Sequence, residues 1–97
     1  MRNIKEVIIH CSATVEGKDF DVEDIDRWHR NKGWNGCGYH YVIKLDGTIQ
    51  AGRPLDKIGA HTKGRNQGSI GICYIGGVDE NIDAKDTRTE AQKISMQ

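Results

Sequence analysis

The sequence predicts an α/β domain built on a central mixed β-sheet flanked by helices. Three observations carry that expectation. Short β-branched apolar runs recur at Val7-Ile8-Ile9 and in residues 69–75, with the length and residue type of buried strands. Between them, Val22, Ile25 and Trp28 recur at helical spacing. An Asp46-Gly47 pair separates two further strand-like runs, which is a strong hairpin signal. Strands and helices thus alternate around one antiparallel hairpin, and the sheet should be mixed.

Each element follows in order. Residues 4–10 read as a buried strand ending at His10, and residues 11–20 as a polar connection containing Gly17. Asp21 is placed to N-cap a helix. Glu23 and Asp24 stand in its first turn and Arg27 and Arg30 further on, an order that suits the helix dipole. Gly33 should end it. Gly36 and Gly38 flank Cys37 in a turn. Residues 39–45 are the clearest strand, with Tyr39, Tyr41, Ile43 and Leu45 on one face and His40, Val42 and Lys44 on the other. Thr48-Ile49-Gln50-Ala51 follows the Asp46-Gly47 turn. Residues 52–68 form a long polar loop, and loops of that length are often functional. Residues 69–75 give another strand, closed by Gly76-Gly77, and residues 78–86 are acidic and irregular. Thr89 and Gln92 form a capping box, after which Ala91 and Ile94 begin an apolar helix face.

The chain of 97 residues suits one small domain, residues 1–97. Lys and Arg together number 14, as do Asp and Glu, so the formal net charge is zero and no basic footprint marks a nucleic acid or an anionic membrane as partner. No run reaches the length of a membrane span. The start, Met1-Arg2-Asn3-Ile4-Lys5-Glu6, lacks the apolar stretch of a signal peptide, so cytoplasmic synthesis without export of its own is expected. Cys11, Cys37 and Cys73 are widely spaced and form no CxxC pair. Reduced thiols are expected rather than a zinc finger or a disulfide framework.

Three side chains are candidates for chemistry. His10 ends a strand, and imidazole is both the commonest metal ligand and a good general base. Tyr39 opens a strand after a glycine turn, where its hydroxyl can donate to a developing oxyanion. His61 lies in the long loop, where binding residues concentrate. Each also has a plain structural reading, as a satisfied strand-end histidine, a half-buried aromatic and a solvated loop histidine. His29 and His40 are weaker, and strand alternation turns His40 away from Tyr39. The glycines around Lys63 and Arg65 do not follow the GxxxxGK[ST] order, and neither HExxH nor GxSxG occurs. Spacing alone gives a histidine metal site near strand ends and a polar loop, without a reaction.

Four segments taken together add a resemblance. They are Ile8-Ile9-His10-Cys11-Ser12-Ala13-Thr14, Trp28-His29-Arg30-Asn31-Lys32-Gly33-Trp34, the run from Gly38-Tyr39-His40-Tyr41 through Asp46-Gly47-Thr48-Ile49, and Gly59-Ala60-His61-Thr62-Lys63-Gly64 running on to Ser69-Ile70-Gly71-Ile72. In this order the chain resembles the zinc-dependent type 2 N-acetylmuramoyl-L-alanine amidases, which share their fold with peptidoglycan recognition proteins, and among them the short phage lysozymes. The resemblance implies a zinc-floored groove that takes the muramic acid and stem peptide of peptidoglycan, and action on the cell wall. It implies His10 as a Zn2+ ligand, Tyr39 as the tyrosine assisting at the metal, and His61, Thr62 and Lys63 as groove residues in contact with substrate. A zinc-bound water would cleave the amide between N-acetylmuramic acid and L-alanine.

The family's second histidine ligand, its third ligand (a cysteine in the phage type) and a catalytic lysine lie in a C-terminal segment. That segment would follow the helix announced at Thr89, and it is expected to be absent here. The resemblance therefore also admits a non-catalytic peptidoglycan-binding module or a degenerate fragment. A site improvised from His10, His61 and Cys73 is a further alternative. A monomer is expected unless a second chain completes the domain.

Overall fold

The computed structural model describes residues 3–96. Six strands and two α-helices follow in the order β1 (Glu6–Cys11), β2 (Thr14–Val15), α1 (Val22–Asn31), β3 (Tyr41–Ile43), β4 (Ile49–Ala51), β5 (Ser69–Tyr74), β6 (Gly77–Val78) and α2 (Glu90–Ser95), with a 3-10 turn at Asn66–Gly68 before β5. The main sheet runs β1-β5-β3-β4. Its β1–β5 and β5–β3 pairs are parallel, and only the β3–β4 hairpin is antiparallel. The expected mixed sheet is therefore present. A second small sheet pairs β2 with β6 in parallel, inside stretches that the sequence marks only as a polar connection and an irregular segment.

Local chemistry explains the helix boundaries. Asp21 caps α1 by accepting from the Asp24 amide, and the Asp24 carboxylate accepts from the Asp21 amide in return. This reciprocal pair satisfies two of the amides that open a helix without partners. Gly33, at φ +88°, turns the chain away after it. Gly47, at φ +89°, likewise makes the β3–β4 turn.

The core forms where α1 meets one face of the sheet. Ile25, Cys37, Val42, Cys73 and Ile75 are buried together, ringed by Phe20, Val22, Trp28, Tyr39 and Leu45. Register puts Cys73 between His10 of β1 and Val42 of β3. Three sequence expectations change here. The strand at residues 39–45 shortens to Tyr41–Ile43, because Tyr39 and His40 lead in from the glycine turn. β1 is a strand, but a half-covered one: it lies at the sheet edge, and Val7 and Ile9 stay 55% and 50% exposed on the face away from α1. In α2 the apolar face reverses, for Ile94 is 67% exposed and Gln92 is fully buried.

Polar pins dock α2. The Gln92 side-chain amide donates to the carbonyls of Ile43 and Ile75, its oxygen accepts from the Thr89 amide, and the Thr89 and Ser95 hydroxyls donate to the carbonyls of Leu45 and Gly47. A helix this short has little stability of its own in water. Those bonds to the sheet and the hairpin turn hold it in place.

Candidate functional site

The site lies where the Tyr39 turn and the His61 loop meet the end of β1. His10 stands one residue before the end of that strand. Its Nε2 lies 3.0 Å from His61 Nδ1 and 3.0 Å from Thr62 Oγ1, and the latter two are 3.1 Å apart. Tyr39 closes the group, its ring centroid 5.4 Å from that of His10, 5.5 Å from His29 and 6.3 Å from His61.

The loop carrying His61 is braced from within. The Asn66 side-chain oxygen accepts from the amides of both His61 and Thr62. Ser69 Oγ sits 3.3 Å from His61 Nε2. The ring occupies a slot that exists because two neighbours lack a side chain. A Cβ on Gly71 would lie 2.5 Å from His61 Cδ2, and one on Gly59 would lie 2.6 Å from the same atom.

The Tyr39 turn is braced from α1. Asp26 accepts from the Cys37 amide, and His29 Nδ1 accepts from the Gly38 amide. Gly38 then crosses under Ala60, where a Cβ would meet the Ala60 carbonyl at 2.2 Å. The Ala60 amide donates to the Gly38 carbonyl, tying the two loops together. His40 is buried, with Nε2 2.8 Å from the Lys57 carbonyl and Nδ1 accepting from the Gly71 amide.

Burial favours the uncharged forms of His10, His29, Tyr39 and Cys73. Burial lowers the pKa of His10 below its ordinary value, and it does the same to His29, helped by Lys32 and Arg53. Burial also raises the Tyr39 phenol well above the ordinary range and pushes the Cys73 thiol up to about 12. Neutral imidazole is the form that accepts protons and binds metals. A small cleft of about 140 Å³ opens beside Tyr39 and His29, lined also by Ser12, Trp28 and Lys32. A larger cleft of about 370 Å³ lies along Asp26, Arg30, Arg53 and Pro54, and no histidine or tyrosine lines it.

The fold thus gathers His10, Tyr39, His61 and Thr62, while Lys63 follows them in the loop and is exposed. Strand alternation misplaced His40. Because the strand begins only at Tyr41, His40 and Tyr39 both come near His61, with His40 centred 6.0 Å from it. Ser69 and Asn66 support the site without having been singled out for it, and His29, one of the weaker candidates, braces the Tyr39 turn. The spacing offered one signal: His29 lies four residues after Ile25, on the same buried helix face.

The whole chain, residues 1–97, matches the family profile described as N-acetylmuramoyl-L-alanine amidase. The chain belongs to the N-acetylmuramoyl-L-alanine amidase family. Among relatives of this amidase-family chain is an endolysin of Klebsiella phage KP32, 42% identical over 91 residues that make up 94% of this chain and 60% of that protein. The solved structure of the N-acetylmuramoyl-L-alanine amidase LysC from Clostridium intestinale URNW superposes with a TM-score of 0.82 at 33% identity, covering 98% of this chain and 58% of that one. Peptidoglycan recognition protein LE, solved in complex with tracheal cytotoxin, a monomeric diaminopimelic acid-type peptidoglycan, superposes with a TM-score of 0.80 at 27% identity, over 99% and 57% of the two chains. The chain spans about 60% of the length of such relatives.

The amidase family raises the question of zinc. Enzyme zinc centres usually hold the ion with three protein ligands and leave a position for water. Among the described residues no group of three histidine, cysteine, aspartate or glutamate side chains can hold a metal ion. The improvised set of His10, His61 and Cys73 is therefore not assembled. Cys73 is wholly buried, and its thiol is turned to the Tyr74 carbonyl. The two histidines do meet, at 3.0 Å between Nε2 and Nδ1.

Proposed function

We propose that this chain forms the substrate groove and part of the catalytic centre of a peptidoglycan amidase, one that cleaves the bond between N-acetylmuramic acid and L-alanine. The observation that carries the reading is the family match over the full chain, coupled with the meeting of His10, Tyr39 and His61 at one end of β1. Muramic acid and stem peptide are the proposed partners, and the cell wall is the proposed place of action. Among the described residues no helix is long and apolar enough to cross a membrane.

The proposed roles are those that the family resemblance implies at these positions. Tyr39 is the hydrogen-bond donor to the oxyanion that forms when the amide carbonyl is attacked. A phenol held neutral by burial keeps its proton for that task. The loop of His61, Thr62 and Lys63 lines the groove, with Lys63 exposed toward solvent at its margin. His10 is the proposed zinc ligand of the completed centre. The described residues do not complete that centre.

The decisive experiment uses the KP32 phage endolysin. Its matched region is exchanged for this chain, and the hybrid is incubated with purified peptidoglycan. Stem peptides with free L-alanine amino termini should be released. An inactive but folded hybrid, alongside an active parent endolysin, refutes the reading. The incomplete ligand set favours a second reading for the chain by itself, that it binds peptidoglycan without cutting. Co-sedimentation with insoluble peptidoglycan, without peptide release, would establish that reading.

A further inference from the structure

Asn35-Gly36 is the only Asn-Gly pair in the sequence, and it lies in the turn that leads from α1 to Tyr39. Such a pair can react with itself. The glycine amide nitrogen attacks the asparagine side-chain carbonyl, and with no Cβ on the glycine nothing obstructs the five-membered ring that forms. Asparagine is counted among the thermolabile residues.

The structure leaves this pair free to react and holds a similar one shut. Asp46-Gly47 could close the same ring. There the Gly47 amide donates to the Lys44 carbonyl, and the Asp46 carboxylate accepts from the Thr48 amide, so both reacting groups are engaged. In the Asn35 turn the hydrogen bonds start one residue too late. The Cys37 amide donates to Asp26 and the Gly38 amide to His29. The Gly36 amide donates to no acceptor among the described residues. Gly36 is buried, and an amide without an acceptor in such a residue is uncommon; this one has no hydrogen bond to break before it attacks. Asn35 is exposed, so water reaches its side chain.

The surroundings fix the glycine and suit the product. Gly36 holds φ +106°, and a Cβ there would stand 2.5 Å from Asp26 Oδ1 and 3.0 Å from Arg30 Nη2. No other residue fits, so the reactive pair cannot be relieved at that position. Asn35 borders a cleft of about 360 Å³ that Arg53 and Lys57 also line. A carboxylate formed at position 35 therefore finds cations nearby.

We propose that Asn35 is a site of spontaneous modification in the folded protein. The Gly36 nitrogen bonds to Asn35 Cγ. The side-chain nitrogen leaves as ammonia, taking up the proton that the Gly36 amide gives away. Water then opens the cyclic imide at either carbonyl and leaves aspartate or isoaspartate at position 35. The chain gains one negative charge, and nothing is oxidised or reduced. Isoaspartate also adds one carbon to the main chain ahead of Cys37 and Gly38, whose amides brace the Tyr39 turn. The inference is independent of the amidase reading.

The test ages the purified 97-residue chain in warm, mildly alkaline buffer and maps its peptides by mass spectrometry. The peptide holding Asn35 should gain a single dalton, and enzymatic methylation should report isoaspartate there. Conversion at Asn35 should run about tenfold faster than at Asn31, Asn66 or Asn81. Isoaspartate at Asp46 should stay well below that at Asn35. The acidic species that isoelectric focusing resolves in aged wild type should be missing from aged Asn35→Gln. Aged wild type should also melt at a lower Tm than fresh protein, and Asn35→Gln should not change on ageing. Melts of the fresh proteins establish that both are folded. The proposal is overturned if Asn35 converts no faster than the other asparagines, if it converts only in denaturant, or if aged Asn35→Gln gains the acidic species at the wild-type rate.

Discussion

Replacing Gly71 with alanine tests whether the glycine slot positions His61. Gly71 lies in β5 with no positive φ, so its backbone conformation suits an L-residue. The added methyl would stand 2.5, 2.6 and 2.8 Å from His61 Cδ2, Cγ and Nδ1. No carbon approaches a ring that closely, so the imidazole must move. Overpacking of this kind costs about 1–3 kcal/mol. Against it stands the gain of about 0.5–1 kcal/mol from replacing a strand glycine with alanine. The net cost is about 0–2.5 kcal/mol, or a fall in Tm of up to roughly 20 °C at about 4–8 °C per kcal/mol. In a His61→Ala background the ring is gone, and the same substitution should be neutral or slightly stabilising. The assay is a double-mutant cycle of thermal melts, which isolates the coupling between neighbours. An equal cost in both backgrounds would refute the reasoning, because the methyl would then be meeting something other than His61.

Three more predictions follow from the same interactions. Gln92→Ala removes the donor to the Ile43 and Ile75 carbonyls and the acceptor for the Thr89 amide, so it should cost about 2–4 kcal/mol in denaturant melts; a loss below about 0.5 kcal/mol would show that α2 is not held by these bonds. His29 accepts from the Gly38 amide and has its pKa lowered by burial, so the unfolded chain binds a proton more readily than the folded one. Its contribution is fully present above the ordinary value of 6.5 and is lost as the pH falls through the lowered folded value. The Tm should drop between pH 7.5 and 5.5 by more in the wild type than in His29→Asn, and equal drops would rule His29 out as a source. Tyr39→Phe in the hybrid endolysin should lower peptide release by about a hundredfold with little change in Tm. Unchanged release would remove the Tyr39 hydroxyl from the chemistry.

Much of this molecule is legible along the chain. Alternating apolar runs, the Asp21 cap, the Asp46-Gly47 turn and the Thr89–Gln92 capping box are local signals, set by residues within a few positions of one another. They place both helices and the hairpin where the structure has them. His10, Tyr39 and His61 could be named as candidates because strand ends and long loops are where chemistry collects. Their meeting could not be read, since 51 positions separate His10 from His61 and only the pairing of β1 with β5 brings their neighbourhoods together.

What the sequence by itself determined is therefore the set of elements, their order and the family likeness carried by four motifs. The tertiary structure decided which apolar faces are covered. Val7 and Ile9 read as core residues, yet β1 is an edge strand and both side chains stay half-exposed. It decided that a glutamine and not an isoleucine anchors α2, because the carbonyls of Ile43, at the end of β3, and Ile75, just past β5, accept from its amide there. It also decided that His61 shares a triangle with His10 and Thr62, because Gly71 and Gly59, distant from each other in sequence, leave the space for its ring. Local propensity is written in neighbouring residues, whereas burial and the convergence of polar atoms depend on which distant segments the fold sets side by side.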